Sequence, residues 1–178
     1  MDTRMKRLMA ESIRGFRLPR YDEIPHGLYL EQTTNFINEN LAPLGCPEIT
    51  PSMVSNYVKK GLIPNPVRKR YEAEHIAYLF FVTFAKNILS MEDIALLIEI
   101  QQNSYALPVA YDYMCQEMES ILFYIFELTD TLEIHGETES EEKNLFYNLM
   151  FSSAYTIYLR AWFGQIRLAR SAPENSDE

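Results

Sequence analysis

Apolar residues recur at intervals of three and four along most of this chain, and Gly and Pro break the pattern at only a few places. Both features predict helices. Met5, Leu8, Met9, Ser12 and Ile13 share one side of a short helix predicted over 3–15. "FRLPRYDEIP" at 16–25 reads as extended, because each proline restricts the residue before it. "LYLEQTTNFINENL" at 28–41 predicts a helix that stops before Pro43 and Gly45. Thr50 is a suitable N-cap and Pro51 suits the first helical position, so a helix is expected over 51–60, ended by Gly61. Pro64 and Pro66 keep 62–69 out of a helix. A further helix is predicted from about Glu72 to Asn87, and Ser90 with Asp93 forms a capping box that opens another over 91–100.

The last third predicts a long helical hairpin. Over 108–132, Met114, Met118, Ile121, Ile125, Leu128 and Leu132 are spaced 4, 3, 4, 3 and 4, which is a coiled-coil seam. Residues 133–142 form the expected turn. Phe146, Met150, Ala154, Tyr158, Trp162 and Ile166 recur at helical spacing on the return over 143–170. Residues 121–126 are consecutive and apolar, too apolar for one buried face, which predicts a second copy of the chain against the seam. The end, "SAPENSDE", is expected to be disordered.

Composition narrows the class. Of 178 residues, 47% are hydrophobic, enough to bury a core and to exclude wholesale disorder. No apolar run reaches the roughly 20 residues of a membrane helix. The longest candidate, "IAYLFFVTFA" at 76–85, is about half that. The first residues lack the apolar core of a signal peptide. Cys46 and Cys115 make neither a disulfide framework nor a metal spacing, so a reduced, cytoplasmic protein is the expectation.

The formal charge of -9 argues against a nucleic-acid partner until its distribution is read. Residues 1–20 carry six Lys/Arg and two acids, residues 49–71 carry five and none, and residues 101–178 carry four and thirteen. Basic charge thus gathers in the first 71 residues. On the helix 51–60, Met53, Val54, Tyr57 and Val58 fall on one face, and Ser52, Ser55, Asn56 and Lys59 on the other. A short, polar, acid-free face suits the major groove, where Asn pairs with adenine, Ser takes either base edge and Lys reaches guanine or phosphate. Lys60, Arg68, Lys69 and Arg70 follow on a proline-stiffened loop, placed to hold phosphates beside that groove. Tyr57 and Tyr71 read as packing residues.

The string "YVKKGLIP…RY…IAYL…LSMEDI" resembles the winged helix-turn-helix of the MerR regulator family, with Tyr57, Gly61, Leu62, Pro64, Arg70, Tyr71, Leu79, Ser90 and Ile94 on its pattern. "FRLPRYDEIP…LYLEQ" with "ITPSMVSNYVKKGLIP" is more similar still to a family of small bacterial MerR-like proteins that is known as a domain of unknown function. Ser55 stands where MerR proteins usually carry Arg, and Ile88 where Gly is common. The resemblance implies an all-α protein. A basic N-terminal helix and extended arm (1–27) precede a MerR-like winged helix-turn-helix (28–100), a helical dimerisation hairpin (101–172) and a tail (173–178). The expected partners are double-stranded DNA and a second copy of the chain, and the expected role is that of a transcriptional regulator.

Two alternatives stand beside this reading. One is a protein-interaction module that keeps the fold without DNA binding. The other is a sensor of an unidentified small-molecule effector, built on the aromatics of the last third, such as Tyr105, Tyr111, Phe123, Tyr124, Tyr155, Tyr158 and Trp162. Their helical spacing reads first as core. Glu117, Glu119 and Glu127 read as acids on a solvated face, and Cys115 as a buried, inert thiol. His26, His75 and His135 are scattered without metal-ligand spacing. No phosphate loop, nucleophile elbow or zinc-protease motif is present, so neither enzyme activity nor a cofactor is expected. The basic residues Arg4, Lys6, Arg7, Arg14, Arg17 and Arg20 could hold a second phosphate, or Arg17 and Arg20 could pair with Asp22, Glu23 or the acidic last third.

Overall fold

The computed structural model describes residues 3–135 and 140–171. The architecture is all-α: α1 (Thr3–Ser12), α2 (Leu30–Leu41), α3 (Pro51–Lys59), α4 (Ala73–Ala85), α5 (Met91–Ser104), α6 (Leu107–Ile125) and α7 (Glu141–Ser171), with short 3-10 turns at Tyr21–Glu23 and Ala42–Leu44. Among the described residues there is no strand, only two isolated bridges, Leu28 to Tyr71 and Val67 to Arg70. No helix among them is long and apolar enough to cross a membrane. The expected tail at 173–178 and part of the expected turn at 133–142 lie outside the described residues.

The longest apolar run of the sequence is the centre of the fold. Every residue of α4 except Glu74 is buried. A helix apolar on all sides has to be enclosed on all sides, and α2, α6, α7 and the 21–23 turn pack around it. The N-terminal arm is strapped to α6 by two carboxylates. Glu119 accepts from Leu18 N (2.8 Å) and takes both guanidinium nitrogens of Arg20 (2.7 and 2.8 Å), and Asp112 accepts from Tyr21 N (2.8 Å).

The expected helical hairpin is not formed. α6 stops at Ile125, so Leu128 and Leu132 are not on it. The stop is a Schellman closure: Leu128 N donates to Phe123 O (2.8 Å) and Glu127 N to Tyr124 O (3.1 Å), with Glu127 at φ +59° where Gly is usual. The chain then turns back along α6. Ser120 Oγ donates to Glu133 O (2.7 Å), and His135 N donates to the carboxylate of Glu117 (2.6 Å). α7 therefore starts beside the start of α6, with Tyr105 Oη 3.3 Å from Ser140 Oγ, and the end of α6 meets the middle of α7, where Phe126 and Tyr158 stack edge-on at 5.2 Å. The two helices run in the same direction. Parallel neighbours need a connection as long as the helix itself, about 28 Å for the 19 residues of α6, and the chain from 126 to 140 spans that when extended.

The expected seam is corrected with it. Met114, Met118 and Ile121 are buried inside a single chain, as are Leu122 and Phe126, and Ile125, Leu128 and Leu132 pack against the same core. Met114, Met118 and Ile121 are thus used up within the chain, while Ile125, Leu128 and Leu132 are half-buried and do not form one continuous helical seam with them. On these two helices the exposed large apolar side chains lie elsewhere, at Val109 and Tyr124 on α6 and at Leu145, Tyr155, Leu159, Phe163 and Leu168 on α7.

Candidate nucleic-acid interface

α3 is set at both ends by local chemistry. Thr50 Oγ1 accepts from Met53 N (3.2 Å), and Pro51 begins the helix. At the other end Leu62 N donates to Tyr57 O and Gly61 N to Val58 O (both 3.0 Å), with Gly61 at φ +73°, a conformation that favours glycine. The approach from α2 is pinned by Asn38, whose amide donates to Ile49 O (3.0 Å) and accepts from Ile49 N (2.9 Å).

Val54 and Tyr57 are buried, and Met53 and Val58 half-buried. Ser52, Ser55, Asn56, Lys59 and Lys60 are all exposed. Ser55 Oγ donates back to Pro51 O (2.9 Å), so it is left as an acceptor toward any partner. Beyond α3, Leu62 and Ile63 are buried and anchor the loop, and Val67 projects with 68% of its surface exposed.

The loop closes as a two-residue hairpin. Arg70 N donates to Val67 O (3.0 Å), and Arg68 and Lys69 at the tip have φ of +52° and +65°. Left-handed backbone at both central positions is the type I′ turn, which ordinarily takes Asn-Gly. Two long cationic side chains sit there instead. The base of the hairpin is held by Leu28 and Tyr71, which exchange backbone hydrogen bonds (3.0 and 2.8 Å). His75, buried at the start of α4, accepts from Glu72 N at Nδ1 (3.0 Å), which leaves its Nε2–H toward Asn65 O (3.4 Å). The loop is thus pinned from the first turn of α4 as well.

The expected phosphate-binding residues separate into two groups. Arg70 is engaged within the chain: its guanidinium donates to Gly27 O (2.8 Å) and lies 3.8 Å from the ring centre of Tyr29. Lys59, Lys60, Arg68 and Lys69 carry no ion pair among the described residues. The N-terminal basic residues go the other way. Arg14 pairs with Glu11 (2.9 Å), Arg17 with Glu23 (2.8 Å), Arg20 with Glu119 and Lys6 with Glu127, so most of that charge is neutralised in place.

The acids of the last third are not all on a solvated face. Glu119 is the anchor for Arg20, and Glu117 is fully buried beneath the returning segment. Burial holds the Glu117 carboxyl above the usual carboxylate range, partly offset by its hydrogen bonds with His135. Cys115 is fully buried, and burial pushes its thiol up to about 12; burial likewise raises Cys46 to about 11, so neither is an activated thiolate. Sequence reasoning missed the burial of Glu117, the role of Asp112 and the His75 pin, and it offered a pairing of Arg20 with the acidic last third without singling out Glu119. Asp112 and Glu119 act on segments some ninety to a hundred residues earlier, where no local spacing signals them.

A family described as a domain of unknown function (DUF1836) matches residues 19–114, more than half of the chain. The chain belongs to the DUF1836 family. No curated protein and no solved structure matches it. The DUF1836 match takes in the arm from Pro19 onward, α2, α3, the hairpin, α4 and α5, and ends inside α6 at Met114. The exposed face of α3 and the hairpin tip therefore lie within the family's own segment, and the returning segment and α7 lie beyond it.

Proposed function

We propose that this DUF1836 protein is a sequence-specific DNA-binding transcriptional regulator of MerR-like, winged helix-turn-helix type, and that it works as a homodimer. α3 enters the major groove with Ser52, Ser55, Asn56 and Lys59 toward the bases. The hairpin serves as a minimal wing, with Arg68 and Lys69, supported by Lys60, against the phosphate backbone. Arg70 acts mainly by holding the hairpin on Gly27 and Tyr29.

The observation that carries the reading is the hairpin tip. Left-handed backbone costs an ordinary side chain roughly 1–2 kcal/mol per residue, yet Arg68 and Lys69 occupy it with no partner among the described residues. An unrelieved local cost with two free cations is what a phosphate contact would repay. The second chain has a surface to use in the Tyr155, Leu159 and Phe163 stripe of α7, one side chain per turn, with Tyr124 nearby.

Fluorescence anisotropy with a random-sequence duplex tests the first step. Binding is expected at about 50–100 mM salt and should weaken steeply as salt rises. No binding in that range overturns the reading.

A further inference from the structure

A cleft of about 430 Å³ opens between the end of α5, the first half of α6 and the first turns of α7. Its floor is apolar, with Ala110, Met114, Phe146 and Met150, and its walls include Tyr105 and Tyr113. A volume of that size suits a small organic molecule. The parallel course of α6 and α7 creates it, because both helices begin side by side and the returning segment reaches this end only at His135.

Lys143 is the feature that selects the ligand. Its ammonium lies 6.0 Å from the ring centre of Tyr105 and 5.5 Å from that of Tyr113, and it has no ion pair among the described residues. The cation-favouring faces of both rings are thus already occupied by the protein's own charge. The acid that lines the cleft, Asp112, is bonded through Oδ1 to Tyr21 N (2.8 Å). Burial, with the nearby charge of Glu117, pushes the Tyr113 phenol up to about 12, so it stays protonated and can donate. One half-buried cation and a phenol donor at the rim of an apolar cleft form the complement of a carboxylate on an apolar body.

We propose that this cleft binds a small carboxylic acid with an apolar, ring-sized body, its carboxylate on Lys143 and its body over Met114, Phe146 and Met150. This site is separate from the α3 and hairpin surface and does not depend on DNA binding.

The test uses 2-naphthoate, its neutral counterpart 2-naphthamide and the cation 2-naphthylmethylammonium, titrated against the full chain labelled at its methionine methyl groups. The expected result is saturable shifts of the Met114 and Met150 signals and binding of the acid about tenfold tighter than the amide. Lys143→Met should abolish that preference, and Lys143→Arg should keep it. The proposal is overturned if no probe moves those two signals at about 1 mM. It is also overturned if the acid binds no tighter than the amide, if the cation binds tightest, or if the preference survives in Lys143→Met.

Discussion

Replacing Arg68 by Asn and Lys69 by Gly together should stabilise the fold and weaken DNA binding at once. Both positions have positive φ, +52° and +65°. A left-handed residue with a side chain costs about 1–2 kcal/mol, and the extra freedom of Gly in the unfolded chain returns about 0.5–1 kcal/mol of that. Lys69→Gly therefore gains about 0.5–1 kcal/mol, and Arg68→Asn a few tenths more, because Asn enters this region readily. A total of about 1 kcal/mol raises the melting temperature by roughly 2–4 °C in a chain of this size. Binding moves the opposite way. Two lost phosphate contacts reduce the slope of log K against log salt by about 1.8. Between about 100 and 200 mM salt the wild type should then lose roughly 3.5-fold more affinity than the variant. Calorimetric melts and anisotropy titrations at several salt concentrations read both effects from the same two proteins. A lower melting temperature would refute the turn geometry, and an unchanged salt slope would refute the phosphate contacts.

Three further outcomes follow from other parts of the molecule. Asn56→Ala should cost about 1–3 kcal/mol at a single base position and leave non-specific affinity nearly intact, and an unaltered sequence preference would remove Asn56 from the reading face. Tyr155→Asp with Leu159→Glu and Phe163→Glu should convert dimers to folded monomers by light scattering, and a wild type that is monomeric at micromolar concentration contradicts the dimer. Glu117 has a raised pKa in the folded state, so the folded chain binds more protons than the unfolded one between the ordinary value of 4.5 and the raised value. Its contribution to stability therefore falls as pH rises through that window, and Glu117→Gln should remove that part of the decline. An identical pH profile of melting temperature in the two proteins would contradict the assigned cause.

Where a helix begins and ends was legible when the residues that stop it are the usual ones. Thr50, Pro51 and Gly61 bounded α3 in the sequence, and the structure uses each of them in its expected place. α6 ends by the same Schellman geometry, but Glu127 holds the left-handed position, so no Gly or Pro announced the stop. Leu128 and Leu132 kept the helical spacing because the returning segment must bury apolar residues against the same core that α6 covers. Spacing alone therefore joined two elements into one helix, and the parallel course of α6 and α7 was hidden with it. The hairpin tip was hidden for a related reason: "VRKR" contains no turn residue. The division of labour between Arg70 and its neighbours depends on Gly27 and Tyr29, which lie some forty residues earlier. The exposure of Ser52, Ser55, Asn56 and Lys59 was legible because exposure on a short amphipathic helix follows from period alone.

Selection of bound sequences from a random duplex pool at moderate salt tests directly whether α3 and the hairpin read DNA. A homodimer presenting two α3 helices should enrich one short motif, present as two half-sites related by a two-fold axis and separated by about one helical turn or a multiple of it. A pool that stays random through successive rounds, while the protein remains folded, would contradict it.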